Sequence, residues 1–188
     1  MKVNLAIISC YCIYVSMCAV LSMYEKNTEQ RRIGFLRSTV NFVLLYPFSY
    51  WFTDVPEGSG SFWVLPLWIV LSDAIFTATH RLLHTKPLYW IHKQHHSSNN
   101  ATGTYSTSTF DSHPLEFFFG NITTALIPTL LVRGTETVQW IWFVSATINT
   151  ILGHFQEGPH LIHHRRVKYN YGQGFYLWDK LCGTYINE

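Results

Sequence analysis

The chain has 188 residues, 48% hydrophobic and only 13% charged, with a formal net charge of +2. A globular domain carries about 25% charged residues, so this chain is poor in charge, and its apolar content excludes a disordered or highly charged protein. The weak positive balance, with no basic tract interleaved with aromatics, argues against a nucleic-acid partner, and the length fits one structural unit.

Residues 3–23, VNLAIISCYCIYVSMCAVLSM, hold no charge and are long enough to cross a hydrocarbon core as a helix. Only Lys2 precedes them, and the stretch exceeds the apolar segment of a cleaved leader, so it reads as a retained span. Cys10, Cys12 and Cys18 lie inside it and Cys182 lies near the C-terminus; no C-x-x-C pair occurs, and the first three read as small apolar fillers.

Residues 38–53 form a second, shorter candidate span, with Pro47 as a kink, and residues 61–79 a third, with Asp73 near its far end. Residues 115–132 and 138–153 are joined by the short link RGTET and predict an antiparallel helical hairpin. Trp51, Trp63, Trp68, Trp140 and Trp142 flank these stretches as interfacial aromatics do. The pattern predicts an all-α integral membrane helical bundle of four or five membrane helices with a histidine-rich helical cap. Residues 1–60 would form N-terminal membrane helices and residues 61–188 the catalytic part.

Basic residues set the orientation. Lys26, Arg31, Arg32 and Arg37 fall in 24–37, and Arg81, Lys86 and Lys93 in 80–96, whereas 54–60 has neither Lys nor Arg. The positive-inside rule puts the first two segments in the cytosol and, with the hairpin, all ten histidines on that one face. The polar stretch 97–109 reads as a loop. Asn100 and Asn121 open glycosylation sequons by pattern, and on this topology Asn100 faces the cytosol.

The histidines carry the chemistry. His80 and His84 are spaced i, i+4, and His92, His95 and His96 are spaced i, i+3, i+4; His160, His163 and His164 repeat the latter pattern. On a helix each set shares one face. A lone histidine is by default a core or surface group, but this repetition points to metal ligation, for which neutral imidazole is the commonest protein ligand. So many imidazoles exceed one tetrahedral site and indicate two metals. Glu157 and His160 have the Glu-x-x-His spacing of carboxylate-bridged bundles, but Gly158 and Pro159 between them oppose a helix there. The site therefore reads as all, or nearly all, histidine.

HRLLH, HKQHH and HLIHH, in that order, match the three histidine boxes of the fatty acid hydroxylase/sterol desaturase superfamily of membrane non-haem di-iron oxygenases, which this chain resembles from about residue 61 to its C-terminus. HPLE at 113–116 resembles an element of the sterol C-4 methyl oxidase-like members, and KYNYGQGFYLWDKLCGT at 168–184 resembles the family's ending. The resemblance implies His80, His84, His92, His95, His96, His160, His163 and His164 as ligands, and His154 as a ninth. It leaves His113, Glu116 and Asn149 as supporting candidates, His113 through a hydrogen bond that orients a ligand. Two departures stand out: only five residues separate His154 from His160, and Cys182 replaces a more usual aromatic.

The resemblance also implies two iron ions, with zinc as a substitute, and O2 as oxidant. Electrons from NAD(P)H would arrive through cytochrome b5 or a similar reductase. A sterol or fatty acyl lipid would be hydroxylated or desaturated at the endoplasmic reticulum membrane, with the boxes facing the cytosol. A zinc-binding membrane hydrolase and a non-catalytic lipid-binding relative of the same fold remain alternatives. A purely structural membrane adaptor leaves the repeated histidine spacing unexplained.

Overall fold

The computed structural model describes residues 3–24, 28–48, 57–98, 105–155 and 157–187. Trp51 and the Asn100 sequon lie outside these residues. Among the described residues the structure is helical without strands, apart from one isolated bridge between Gly60 and Gly134.

Helix α1 (Val3–Leu21) ends in a 3-10 turn (Ser22–Tyr24), and α2 (Thr28–Phe48) follows. The second helix thus starts ten residues before the expected span. Its first half, TEQRRIGFLR, consists mostly of good helix formers, and Glu29 lies in the first turn, where it complements the helix dipole. Pro47 falls in its last described turn.

Helices α3 (Val64–Leu83) and α4 (Tyr89–Ser98) carry the first two histidine boxes. A 3-10 turn (Ser106–Ser108) leads to α5 (Pro114–Glu116), a π-helical stretch (Phe117–Ile122) and α6 (Thr123–Leu131), which run on as one rod. Pro114 occupies the first turn, where its missing N–H costs nothing. Helix α7 (Glu136–Phe155) completes the expected hairpin, and α8 (Pro159–Arg165) and α9 (Leu177–Cys182) close the chain. The hairpin is tied by Trp142 Nε1–H donating to the Ala125 carbonyl at 2.8 Å.

Two apolar clusters hold the bundle. Ala6, Ile7, Tyr14 and Cys18 of α1 meet Phe42 and Leu45 of α2 and, from the other side, Phe117, Leu126 and Ile151. Val64 and Trp68 of α3 pack on Val138 and Trp142 of α7. Fully burying one such large side chain contributes about 1.5–3 kcal/mol. Gly134 permits the second cluster to close, because a Cβ there would sit 2.6 Å from Trp68 Cη2.

The stretch Ser106–Ser112 is polar yet buried throughout. A buried loop must pair its backbone groups, and α1 and α2 supply the donors. Tyr14 OH and Ser38 Oγ both donate to the Thr107 carbonyl, at 2.6 and 3.1 Å. Asn41 Nδ2 donates to the carbonyls of Phe110 and Ser112 at 2.8 and 2.9 Å. The N-terminal helices thereby brace the segment that links the second histidine box to HPLE.

Among the described residues two helical stretches, Leu5–Tyr24 and Pro114–Leu131, are long and apolar enough to cross a membrane. Of the remaining expected spans, residues 38–48, 64–79 and 138–153 are helical, residues 49–53 lie outside the described residues, and polar side chains such as Asp73, Thr77 and Thr79 lower the hydropathy of α3.

Candidate metal centre

Four helices converge on one chamber. Helix α3 brings His80, with His84 at its C-cap; α4 brings His92, His95 and His96; α7 brings His154; α8 brings His160, His163 and His164. Their ring nitrogens sort into two groups, His80, His84, His92, His96 and His163 in one, and His95, His154, His160 and His164 in the other. Within each group the nitrogens lie within 4.8 Å of one another. The groups adjoin, with the rings of His96 and His164 centred 4.7 Å apart. The i, i+3, i+4 spacing of HKQHH splits across both: His92 and His96 face one group and His95 the other.

The Nε2 atoms point at each other. In the first group His80 faces His92 at 3.0 Å, His84 faces His163 at 3.0 Å, and His96 faces His84 at 3.2 Å. In the second, His154 meets His95 at 3.3 Å and His160 at 3.1 Å, and His164 meets His160 at 3.2 Å. Two nitrogens bound about 2.0–2.1 Å from a shared ion are separated by about 3.0 Å at a right angle and about 3.3 Å at the tetrahedral angle. The observed spacings cover that interval.

The opposite ring atoms decide the tautomers. His80 Nδ1–H donates to the Tyr171 carbonyl and His163 Nδ1–H to the Tyr169 carbonyl, both at 2.7 Å. His92 Nδ1 meets Glu116 Oε1 at 2.7 Å. In the second group His154 Nδ1–H donates to the Thr150 carbonyl at 3.0 Å. With Nδ1 protonated, Nε2 carries a bare lone pair. His80 and His163 therefore aim bare Nε2 lone pairs into the first group and His154 into the second, each about 3 Å from a neighbouring ring nitrogen. A cation at these points would take the lone pairs as ligands, so the residues fit a metal.

Burial sets the protonation state. All nine histidines lie beyond the ends of the apolar spans, and burial is the leading cause of a lowered pKa at each. His84 and His154 are lowered to about 4 and His96 to about 3. His80, His92, His95, His160, His163 and His164 lie well below the ordinary imidazole value, with mutual repulsion adding to burial at each. Neutral imidazole is the form that binds metal.

The supporting candidates divide. Glu116 is 5% exposed and contacts His92, the arrangement that fixes ligand orientation. His113 stands apart from both groups. It caps α5, its Nδ1 accepting from Leu115 N–H at 3.2 Å, and its ring meets Trp90. Its support therefore passes through the helix that carries Glu116 and not through a bond to a ligand. Asn149 lies on the wall of a neighbouring cavity, against Gly174. Glu157 precedes α8 and pairs with Arg165 at 3.7 Å on the surface.

Sequence reasoning missed the C-terminal tail as part of the site. Tyr169 and Tyr171 supply their carbonyls from either side of Asn170, which is fully buried and left-handed at φ 53°. Asn170 Nδ2 donates to the carbonyls of Pro159 and Ile186 at 3.0 and 2.8 Å, and its Oδ1 accepts from Ile186 N–H at 2.8 Å. The residue thus ties the start of α8 to the chain end and holds the two carbonyls in place. Asp179 fastens the same tail through Thr184 and Arg81. The signal was present in KYNYGQG, since Asn is the non-glycine residue that best tolerates the left-handed region.

A cavity of about 380 Å3 lies between α1, α3, the α5–α6 rod, α7 and the tail. Phe76, Asn121, Thr150 and Gln173 line both this cavity and the smaller space among the histidines, so the two abut.

A protein-family model described as fatty acid hydroxylase matches residues 65–184. Among curated proteins, the chain is 28% identical over 165 residues to a Delta(7)-sterol 5(6)-desaturase of Candida dubliniensis, covering 78% of this chain and 42% of that protein. It is 28% identical over 170 residues to fatty acid hydroxylase domain-containing protein 2 of Macaca fascicularis, covering 82% and 50%. It is 32% identical over 138 residues to a very-long-chain aldehyde decarbonylase of Oryza sativa subsp. indica, covering 62% and 50%. The chain thus spans half or less of the length of these relatives. No solved structure matches it. With the family model covering both histidine groups and the tail that holds them, this chain belongs to the fatty acid hydroxylase/sterol desaturase superfamily.

Proposed function

We propose that the chain is a membrane-bound di-iron oxygenase that hydroxylates or desaturates a lipid, a sterol or a fatty acyl group. His80, His84, His92, His96 and His163 would hold one ion, and His95, His154, His160 and His164 the other. The observation that carries this reading is the convergence of nine neutral imidazoles in two adjoining groups, with Nε2 atoms facing one another at about 3 Å. A bound iron pair supplies the activation of O2 needed to oxidise an unactivated C–H bond.

The protein's own residues do the rest. The carbonyls of Tyr169, Tyr171 and Thr150 keep the protons on Nδ1 and the lone pairs on Nε2 of His163, His80 and His154, and Glu116 orients the ring of His92. The apolar cavity brings the hydrocarbon to the chamber and excludes water. Exposed Val40, Val43 and Leu44 on α2 and Leu130 and Leu131 on α6 suit contact with lipid, in keeping with four or five helices embedded in the endoplasmic reticulum membrane and the histidines at its cytosolic surface. Electrons would come from NAD(P)H through cytochrome b5 or a similar reductase. Arg165, Arg166 and Lys168, exposed beside α8, offer a basic face to an acidic carrier.

The all-nitrogen ligand set also suits zinc, which supports a second reading as a zinc-binding hydrolase or a lipid-binding relative without turnover. Metal analysis and product profiling separate the two. Two irons per chain with O2-dependent lipid oxidation, lost in His95→Ala while the variant still inserts in membranes, support the oxygenase. Tight zinc without redox activity supports the alternative, and turnover that survives His95→Ala overturns the ligand assignment.

A further inference from the structure

Helix α4 serves both histidine groups at once. It delivers His92 and His96 to one and His95 to the other. A turn of about 20° about its axis moves a ring carried about 5–6 Å from that axis by about 2 Å, which is a whole metal–nitrogen bond length. The rotation of α4 must therefore be set closely. Glu116 holds the His92 ring at 2.7 Å, but one contact on one side leaves the helix free to pivot about it.

The far side of α4 carries a second hold. Gln94 stands about 160° round the helix from both His92 and His96, and Ser98 lies one turn beyond it on the same face. Both donate to one carboxylate, Gln94 Nε2 to Asp111 Oδ1 at 2.7 Å and Ser98 Oγ to Asp111 Oδ2 at 2.6 Å. The His95 side chain has a hydrogen bond with the backbone of the same residue. Asp111 is 1% exposed and is itself held in place. Its N–H donates to the Ser108 carbonyl at 3.0 Å, and Asn41 of α2 binds the carbonyls on either side of it, those of Phe110 and Ser112. Arg37 of α2 approaches Asp111 Oδ2 at 3.7 Å, but its side chain is 54% exposed, so solvent screens that pair. Asp111 belongs neither to the histidine boxes nor to HPLE.

We infer that Asp111 is a positioning residue for the second histidine box. It clamps the rotation of α4 through Gln94 and Ser98, so that His95 reaches the four-histidine group while His92 and His96 reach the five-histidine group. It acts as a hydrogen-bond acceptor and not as a charge, because both oxygens are taken by neutral donors and its cationic neighbour is solvent-screened. This deepens the proposed function and rests on it for the ions that the two groups would hold; the clamp itself is present without them.

Two measurements on the full chain in phosphatidylcholine nanodiscs test it. In the metal-free protein, amide hydrogen exchange over 91–98 should quicken about tenfold or more in Asp111→Ala, while 64–83 and 136–155 keep their rates. The double variant Gln94→Met/Ser98→Ala should reproduce that change, which keeps the test open if Asp111→Ala does not fold. The same apoproteins are then titrated with Co(II), whose visible absorption reads ligand geometry, with His163→Ala and His164→Ala marking the two sites. Asp111→Ala should weaken the four-histidine site about 10- to 100-fold and alter its spectrum, as loss of a ligand-orienting contact does. The five-histidine site, where Glu116 still holds His92, should keep its spectrum. Asp111→Asn accepts from Gln94 through its amide oxygen and donates to the Ser98 hydroxyl through its amide N–H, so it should restore most of both readouts. Arg37→Gln should leave both unchanged. Unaltered exchange over 91–98, equal weakening of the two sites, or an Asp111→Asn as damaged as Asp111→Ala overturns the inference. An intact chain that binds no metal counts against the proposed function, while the exchange rates still judge the clamp.

Discussion

Five histidines gather at one point and four at the neighbouring one, and the two groups are held differently. In the five-membered group His80, His92 and His163 are each pinned at Nδ1, by two backbone carbonyls and a glutamate. In the four-membered group His154 is pinned by the Thr150 carbonyl and His95 has a backbone hydrogen bond with Asp111, whereas Nδ1 of His160 and of His164 is buried with no partner among the described residues. The pinned rings of the five-membered group come from α3, α4 and the tail side of α8, where neighbouring segments bring acceptors close. The others sit on a helix of seven residues that opens on Gly158 and Pro159. One group is preorganised by the protein, and the other depends more on the ion it would hold.

Deleting one ligand from each group tests that contrast most severely. His163→Ala and His164→Ala are each expected to lower bound metal from two ions to one per chain. The group that survives should differ, however. After His164→Ala the remaining ion should stay as resistant to a chelator as in the intact chain, because the pinned group is untouched. After His163→Ala the remaining ion should be stripped faster. Equal chelation rates in the two variants would remove the asymmetry.

Acid should act next most strongly. An imidazole in an unfolded chain takes up its proton near pH 6.5, whereas burial holds His154 neutral down to about pH 4. Between these values the unfolded state binds more protons, so the stability of the metal-free protein falls as pH falls. For His154 alone the full loss is about 3 kcal/mol once pH is below 4. Melting curves of chelator-treated protein from pH 7 to pH 4 should show a steady fall in Tm across that window and little change above pH 7. A Tm independent of pH would mean that these rings are not buried neutral in the folded state.

A smaller effect is expected where one pin is removed from the stronger group. Glu116→Ala leaves His92 free to rotate, and losses of this kind weaken metal binding about 10- to 100-fold. Titration of the apoprotein with Fe(II) or Zn(II) would reveal one weakened and one unchanged site. Glu116→Gln, which still accepts a hydrogen bond through its amide oxygen, should recover part of the loss. Weakening of both sites alike would mean that Glu116 supports α5 as a whole.

The contrast also explains what could be read in the sequence. The histidine boxes were legible because ligation needs specific side chains at helical spacing, and His80 to His96 and His160 to His164 show it directly. Helix α1 and the α6–α7 hairpin were legible from unbroken apolar runs. The N-terminal half of α2 was not, because its charges resemble a loop even though its residues favour a helix. Nor were the pins. Three of the four are backbone carbonyls, which every residue carries; Thr150 lies one turn before His154 on α7, and the placement of the Tyr169 and Tyr171 carbonyls depends on the turn at Asn170 and on the tail returning to α3. Residues 106–109 of the buried stretch Ser106–Ser112 read as part of a polar loop because their partners, such as Tyr14 and Ser38, lie far away in the sequence.

The two glutamates near the boxes sharpen the comparison with the smallest effect. Glu116 and Glu157 each stand three positions from a histidine, in HPLE and EGPH, and spacing alone does not rank them. Structure does. Glu116 is buried on α5 against His92, whereas the Glu157 side chain is 80% exposed and faces Arg165 at 3.7 Å. An exposed ion pair of that kind contributes about 0–1 kcal/mol. Gly158, extended at φ 171°, and Pro159 in the first turn of α8 keep Glu157 off the helix face that carries His160. Glu157→Gln is therefore expected to leave metal content and turnover unchanged and to shift stability by less than about 1 kcal/mol. If this variant instead lost the ion of the four-histidine group, that group would be completed by a carboxylate, and the looseness of His160 and His164 would be the mark of a missing acidic ligand.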